Sequence, residues 1–454
     1  MRLAAEIALA RAVGALSRRT GRGGGTTLPG KLLLRVDDAA LTALARRLPK
    51  GAIIVSATNG KTTTCALAAR ILGEGRTLVH NAAGANLMSG VAATLLAARH
   101  ADMALLEVDE AALPEVVRRV APRVLALGNL FRDQLDRYGE LETLATGWRA
   151  AVAGLPASTR LVVNADDPVL GALALDRPGT VTYGIDDPAQ AHPSLQHAAD
   201  SKYCIRCGAP YDYAAAYVGH LGDYRCPRCD HARPPLTVAA RSISLDGLAG
   251  TAFDLVMPDG VHRVTLPLPG LYNVYNAVAA AALGHALGVP LAAIARSLEG
   301  AEPAWGRFER IEVDGKTVVL LLVKNPAGAN EAVRTLLAGA TPPRLALVAL
   351  NDAVADGRDV SWIWDVDYEP LLAGLERVVA SGGRAAELAL RFRYGGLADA
   401  AIEVVPELEQ ALDRALALTP AGDELVVLPT YTAMLALRRV VAGRGHVRNF
   451  WDAA

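Results

Sequence analysis

From Ala52 onward the chain repeats one pattern. Short apolar runs (Ile53–Val55, Met103–Val108, Val124–Leu127, Leu161–Val163) alternate with stretches of helical period (Thr62–Leu72, Leu87–Ala98, Leu113–Arg119). This alternation predicts a parallel sheet with helices on both faces, an α/β fold. A second α/β block is expected after Gly300. Its strands are Thr317–Val323, Arg344–Leu350, Arg377–Ala380 and Glu424–Leu428, with helices Ala329–Leu337 and Glu407–Leu416 between them. Glu302-Pro303-Ala304-Trp305-Gly306 is read as the boundary between the blocks. Ahead of the first block, Asp37–Leu48 reads as a short helix and Thr20–Pro29, rich in glycine, as a flexible connection.

The first nineteen residues carry an apolar stretch, Leu3–Leu16, flanked by Arg2, Arg18 and Arg19. Glu6 and Arg11 interrupt it, so it reads as an amphipathic helix rather than a signal peptide, with a membrane-surface contact as the alternative. The chain has 454 residues, which is room for two or three domains. Its net charge of −1 gives no electrostatic case for nucleic acid. No apolar run is long enough to cross a bilayer.

Chemistry enters at Ser56–Thr64, S-A-T-N-G-K-T-T-T, directly after the apolar run Gly51–Val55. A strand, a tight glycine loop and a lysine opening a helix form a phosphate cradle. Helix N-terminal N–H groups and the ammonium hold phosphates, and a threonine hydroxyl reaches Mg²⁺. Thr58, Asn59, Gly60, Lys61, Thr62 and Thr63 are therefore the expected nucleotide-binding residues, with ATP as ligand. The strict P-loop has glycine six residues before the lysine, where this chain has Val55.

Between Ala199 and Pro235 the composition turns rich in Tyr, Cys, Arg and Gly. Cys204-x-x-Cys207 and Cys226-x-x-Cys229 are eighteen residues apart and can place four thiolates on one tetrahedral ion. The expectation is a closed, structural Zn²⁺ ribbon inserted at 200–235, because so small a segment cannot bury a core of its own. Cys65, the fifth cysteine, reads as a small buried residue.

The wording T-N-G-K-T-T resembles the Mur ligase and folylpolyglutamate synthase group, whose loop usually reads G-T-N-G-K-[ST]-T. Ala57 replaces the first glycine, so its backbone must avoid positive φ. Further motifs carry the resemblance. Glu107, at the end of Leu105-Leu106-Glu107, matches the group's magnesium glutamate. Gly128-Asn129-Leu130-Phe131-Arg132-Asp133-Gln134-Leu135-Asp136 resembles T-N-x-x-x-D-H-L-D, with Gln134 in place of histidine. No lysine follows between Asp136 and Asp166, where Mur amino-acid ligases carry a modified one. Leu271–Ala277 resembles H-N-x-x-N-x-x-A-A, which implies that Asn273 reads the adenine, with Asn276 either capping or packing. Trp305–Arg310 resembles P-G-R-x-E, which implies that Arg307 reaches the ATP phosphates and Glu309 fixes the hinge. Lys324-Asn325-Pro326 stands where relatives carry D-x-x-x-N-P, but the ribose-binding aspartate has no match here. The expected layout is an N-terminal helical segment (1–50), a Mur-ligase-like ATP-binding domain (51–302) and a smaller Rossmann-like α/β domain (303–454).

Only some fifty residues precede Ser56, too few for the UDP-binding domain of a Mur ligase. The acidic run Leu350–Glu369 contains D-A-V-A-D-G-R-D-V-S-W-I-W-D and two of the five tryptophans. Buried tryptophans beside a carboxylate suggest a rigidly held acid or a partner interface. Together with the four-cysteine ribbon, these features resemble the MurT family, the Mur-ligase-like subunits of lipid II isoglutaminyl synthase. That resemblance implies ATP-dependent amidation of the D-glutamate α-carboxylate of lipid II through an acyl phosphate. Lys61, Glu107 and Asp365 would be catalytic, Thr62 and Glu107 would hold Mg²⁺, and a GatD-like class-I glutaminase would supply ammonia. An aspartate of this chain would complete the partner's triad: Asp365, with Asp356 and Asp352 in reserve. It further implies a cytoplasmic heterodimer working at the inner face of the membrane, without nucleic acid. The alternatives are a stand-alone amino-acid ligase of the folylpolyglutamate type and a ribbon-bearing protein that merely senses ATP.

Overall fold

The computed structural model describes residues 2–19, 27–82, 84–133, 141–197, 199–302 and 306–447. Gln134, Asp136, Pro303, Ala304 and Trp305 lie outside the described residues. The first block forms strands β1 (Ala52–Ser56), β2 (Leu78–His80), β3 (Met103–Glu107), β4 (Val124–Leu127), β5 (Arg160–Asn164) and β6 (Val181–Ile185). A hairpin of β7 (Asp212–Val218) and β8 (Leu221–Arg225) follows, then β9 (Val238–Asp246), β10 (Gly250–Met257) and β11 (Gly260–Leu266). Nine of these strands make one sheet in the order β11-β10-β9-β6-β5-β4-β1-β3-β2.

The strands from β2 to β9 in that sheet run parallel to their neighbours, as the alternation of apolar runs and helices predicts. The antiparallel meander β9–β11 is an addition, and along β10 buried and half-buried residues largely alternate, as on a sheet with one wet face. The central strands β1, β3 and β4 are buried throughout, packed between helices on both sides.

The second block forms β12 (Phe308–Val313), β13 (Lys316–Leu321), β14 (Leu345–Ala349), β15 (Arg377–Ser381), β16 (Ile402–Val404) and β17 (Glu424–Pro429). Its order is β12-β13-β17-β14-β15-β16, parallel except for the β12–β13 hairpin. Each sheet has its own apolar cores on its two faces.

Among the described residues, three helices precede β1: Arg2–Arg19, Leu28–Val36 and Ala40–Ala45. The second of these begins inside the stretch expected to be a flexible connection. Pro29 sits in its first turn, where a missing N–H costs no hydrogen bond. Gly30 lies so close to the helix Met88–Ala97 that a Cβ there would meet the Ser89 carbonyl oxygen at 1.9 Å. This contact clamps the N-terminal helices onto the sheet.

The S-W-I-W-D core departs from expectation. Ser361–Asp365 is a 3₁₀ helix in which Ile363 is the buried residue, while Trp362 is half-buried and Trp364 is 45% exposed. With three residues per turn, Ser361 and Trp364 stack on one outward face and only the residue between the tryptophans turns inward.

Candidate active site and metal centre

The phosphate loop is built by backbone geometry. β1 ends at Ser56, whose hydroxyl donates to the Val108 carbonyl at 2.8 Å and ties it to the chain leaving β3. Gly60 then takes φ +83°, a left-handed turn that only glycine enters cheaply, and Lys61–Gly73 starts as a helix. A Cβ on Gly60 would also strike the Asn276 side-chain oxygen at 2.0 Å. Ala57 is not among the residues with positive φ, so its substitution for glycine costs nothing. The Asn59 N–H donates to Asn129 Oδ1 at 2.9 Å, and the Phe131 N–H donates to Thr58 Oγ1 at 3.0 Å. The Asn129 segment is thus laced to the loop.

This loop faces a cavity of about 380 Å³ between the two sheets. The first block lines it with Thr58–Thr63, Glu107, Asp109, Glu110, Asn129 and Asp133, and the second with Arg307, Lys324, Gly328 and Glu331. It sits where strands β1 and β3 end, the crevice that open α/β sheets offer to ligands.

Three cations converge here. Lys61 is buried and its ammonium donates to Glu110 at 2.8 Å and to the Ala57 carbonyl. Burial works against this ammonium, but Glu110, Glu107 and Asp109 outweigh it and raise its pKa. Glu110 moves the other way: burial pushes it up, but Lys61 and Lys324 hold it below the usual carboxylate range. Arg307 reaches across from the second block and donates to Thr62 Oγ1 at 3.0 Å. Lys324 donates to the Thr58 carbonyl at 3.0 Å and pairs with Asp133. A highly charged triphosphate fits such a cluster, because it offers every cation a better acceptor than the loop carbonyls.

Glu107 is buried, with one oxygen accepting from Asn86 at 3.1 Å and Oε2 without a partner. Asp133 Oδ1 is likewise buried and unpaired. Orphaned carboxylate oxygens beside a phosphate loop are the donor chemistry a hard divalent cation takes. Glu107 and Thr62 both line the cavity and fit Mg²⁺ in this sense.

The two asparagines of the 271–286 helix have different surroundings. Asn273 donates to the Pro269 carbonyl at 2.8 Å and accepts from Asn276 at 3.0 Å. Asn276 lines the cavity and lies within 3.3 Å of the Thr64 hydroxyl. Glu309 accepts from the Gly306 N–H at 2.8 Å and pairs with Arg438 at 2.9 Å, joining the boundary segment to the helix Tyr431–Gly443.

Sequence reading singled out no role for Lys324 or Glu331. Glu331 is 1% exposed, lines the cavity and has no partner for either oxygen, and burial pushes its carboxyl up to about 7. The signal that points to it is the missing ribose aspartate, since a nucleoside site without that carboxylate needs another acceptor.

The four ribbon cysteines form the second centre. Their sulfurs all lie within 4.8 Å of one another, with Cys204–Cys229 at 3.6 Å and Cys207–Cys226 at 3.4 Å, and none is in a disulfide. Tetrahedral Zn–S bonds of about 2.3 Å place sulfurs at roughly 3.8 Å, so the thiol set fits Zn²⁺. Gly208, at φ +72°, makes the tight knuckle after the first pair. Arg233, just past the second pair, donates to buried Asp166 at 3.1 Å, which also accepts from Tyr275 at 2.7 Å, and this roots the ribbon in the sheet. Cys65 is buried behind the phosphate loop, and burial pushes its thiol well up. No nucleophilic thiolate is available there.

The three candidate aspartates differ. Asp356 is buried, and its carboxylate accepts from the Thr432 N–H at 2.8 Å and from the Thr432 hydroxyl. Asp352 pairs with Arg384 at 3.1 Å. Asp365 is half-exposed and, among the described residues, is paired with Arg132 alone, at 3.5 Å. Arg132 is held in turn by Asp200 at the entrance to the ribbon.

Fold and loop together define a Mur-type ATP-dependent ligase. Residues 55–216 match the family model of the Mur ligase middle domain, and residues 322–434 match that of the MurT ligase C-terminal domain. The fold is that of a pseudomurein peptide ligase type C from Methanothermus fervidus (TM-score 0.69, 21% identity, 88% of this chain and 80% of that one). It is also that of the MurF ligase from Thermotoga maritima solved in complex with ADP (TM-score 0.64, 15% identity, 90% and 83%). Among curated proteins the chain is 34% identical to the lipid II isoglutaminyl synthase (glutamine-hydrolyzing) subunit MurT of Streptococcus pneumoniae, over 94% of each. It is 31% identical to the subunit of that name from Staphylococcus aureus, over 96% of each. The chain belongs to the MurT family.

Proposed function

We propose that the chain is the synthetase half of a glutamine-dependent amidotransferase acting on lipid II. The observation that carries this reading is the cavity itself: Lys61, Arg307 and Lys324 converge on a helix N-terminus beside an unpaired Glu107 oxygen. The names of the relatives supply the substrate.

A carboxylate is a poor electrophile. Here the D-glutamate α-carboxylate oxygen attacks the γ-phosphorus of ATP and ADP departs. Ammonia then attacks the acyl carbon, phosphate leaves with its bonding pair, and the nitrogen sheds a proton to give the amide. Thr58, Asn59, Gly60 and Thr63 shape the cradle for the phosphates. Lys61 and Arg307 exchange Glu110 and Thr62 for phosphoryl oxygens and neutralise the charge that builds in transfer. Glu107 and Thr62 would hold Mg²⁺, which supplies Lewis-acid neutralisation of the phosphates. On the nucleoside side, Glu331 accepts hydrogen bonds that ATP donates, and Asn273 would read the base only by giving up its bonds to the Pro269 carbonyl or to cavity-lining Asn276. The four cysteines would hold Zn²⁺ for structure alone.

Nitrogen must come from another chain. Four cysteines belong to the ribbon and Cys65 is sealed, so the chain has no thiolate to hydrolyse glutamine. A GatD-like class-I glutaminase fits this need. Asp365 is our assignment for the carboxylate that orients the partner's histidine. Exposed Trp364 and Tyr394, in an edge-to-face pair at 5.8 Å, flank it as an aromatic docking patch. The 1–50, 51–302 and 303–454 division would then give a lipid-side segment, a phosphorylating domain and a glutaminase-docking domain, working in the cytoplasm at the inner face of the membrane.

The test is co-expression with a class-I glutaminase. Asp365→Asn is expected to abolish glutamine-driven amidation of lipid II while amidation with free ammonia persists. Glutamine-driven activity that survives rejects Asp365 and moves the assignment to Asp352 or Asp356.

A further inference from the structure

Charge is not spread evenly along this chain. Residues 1–50 hold ten Lys and Arg against three Asp and Glu, a formal +7 in a protein whose net charge is −1. The fold gathers the described part of this segment, residues 2–19 and 27–50, largely into helices on one side of the nine-stranded sheet. Arg11 is close enough to Arg99 and Arg47 that, after burial, their charges hold its pKa below the ordinary arginine value. Its guanidinium is anchored on the Leu96 carbonyl at 2.7 Å.

The helix Leu28–Val36 shows what this segment presents outward. Pro29, Gly30 and Leu33 face inward. The opposite stripe is Leu28, Lys31, Leu32, Arg35 and Val36, spaced at three and four residues, apolar or cationic at every position and free of acids. Leu28 is 49% exposed and Val36 44%, and Leu9 of the preceding helix adds another exposed leucine. Leucine and valine interleaved with lysine and arginine are the composition of a helix that lies in a headgroup layer. Charge complementarity decides the occupant: a +7 segment is drawn to an anionic bilayer and is repelled by the same face of a second copy.

The location fits as well. Gly30 rests on Ser89, and exposed Leu87 caps the same helix. Just before it in sequence, Ala82, Gly84 and Asn86 line the nucleotide cavity.

We propose that the outward face of Leu28–Val36, with Leu9 and Leu87, docks the protein on an anionic phospholipid surface and holds the mouth of the cavity at headgroup level. The proposal rests on the reading of lipid II as substrate, since a lipid-anchored carboxylate can reach the cavity only if the cavity comes to the membrane.

The experiment is co-sedimentation of the full-length chain with phosphatidylglycerol-containing vesicles and with pure phosphatidylcholine vesicles. The parent is expected to prefer the anionic vesicles and to lose that preference as salt rises. Lys31→Glu with Arg35→Glu should weaken anionic binding at least about 25-fold, taking about fivefold for each cation removed at the surface. Leu28→Ser with Val36→Ser should weaken binding to both vesicle types. Neither pair touches the cavity, so amidation of detergent-dispersed lipid II is expected to match the parent. Equal binding to the two vesicle types, undiminished binding by the charge-reversed variant, or self-association through this face without vesicle binding overturns the proposal. Vesicle binding as expected, with no amidation of dispersed lipid II even when ammonia is given, overturns the functional reading and leaves the docking face standing.

Discussion

The phosphate loop and the S-W-I-W-D turn each carry a single charged side chain, Lys61 and Asp365, and they are finished to different degrees. Lys61 is buried, paired with Glu110 and braced by loop carbonyls. Around it, four hydrogen bonds cross between the two segments, two joining Asn59 to Asn129 and two joining Thr58 to Phe131. Asp365 is half-exposed with one cation at 3.5 Å, and its neighbour Trp364 spreads an aromatic face into solvent. A site that closes on itself carries its own chemistry. A site that leaves an acid and aromatic surface unfinished is completed by something outside the chain. On the proposed function, that contrast would separate phosphoryl transfer, done here, from nitrogen supply, done elsewhere.

The largest expected effect splits the two regions. An aspartate that orients a catalytic histidine is worth up to about 10⁴-fold. Asp365→Asn should cost about that much with glutamine and nothing measurable with ammonia. Lys61→Met should instead cost roughly 10²- to 10³-fold with either nitrogen source, the usual loss when one preorganised cation or donor is removed from a transition state. Steady-state amidation assayed with each source decides both. A Lys61→Met enzyme that keeps ammonia-driven activity would break the comparison.

The ribbon stands between the regions, because Asp200 at its entrance holds Arg132, which faces Asp365. Metal removal therefore tests whether the unfinished side depends on a remote support. Chelation, or Cys226→Ser, should release zinc and loosen the Asp200–Arg132–Asp365 chain, lowering glutamine-driven turnover by up to about 10²-fold. Ammonia-driven turnover should fall less. Metal content by atomic emission, alongside both assays, checks this, and equal losses on the two routes would show that the ribbon supports the whole fold instead.

How much of this was legible in the sequence follows from where each site's residues come from. The phosphate loop needs one glycine in a left-handed turn and one lysine on the next helix turn, so six consecutive letters announced it. The ribbon was legible for the same reason, since four thiols at knuckle spacing have little other use. Lys324 and Glu331 were not, because they enter the cavity from the second block, and no local pattern marks a lysine whose partner Asp133 lies 191 residues away or a glutamate with no hydrogen-bond partner among the described residues. The tryptophans misled in a different way. Hydrophobic side chains suggested burial, but a 3₁₀ turn has room for only one inward residue and Ile363 takes it. The helix at Leu28 was hidden by the glycines before it, which read as a loop running on through Pro29.

Glu331 gives the smallest and sharpest test, since among the described residues it is the one cavity carboxylate with neither oxygen paired. Burial raises its pKa from 4.5 to about 7 in the folded chain. The sign follows from proton counts. Below about pH 4.5 both folded and unfolded chains hold this proton, and the stability it contributes is fully present. As pH rises toward 7 the unfolded chain releases the proton while the folded chain keeps it, so that stability is lost. Across the window this amounts to a few kcal/mol at most, taking about 1.4 kcal/mol for each pH unit. Glu331→Gln has no such proton, so its Tm should decline less than the parent's between pH 5 and pH 8. At pH 8 the variant should be the more stable of the two. If the carboxylate serves ATP, that gain comes with a KM for ATP about tenfold higher and kcat nearly unchanged, the loss of one hydrogen bond to a charged acceptor. A variant that is stabilised at pH 8 while its KM stays at the parent's value would make Glu331 a buried core acid. The nucleoside end of the cavity would then lack the acceptor that the phosphate end has in abundance.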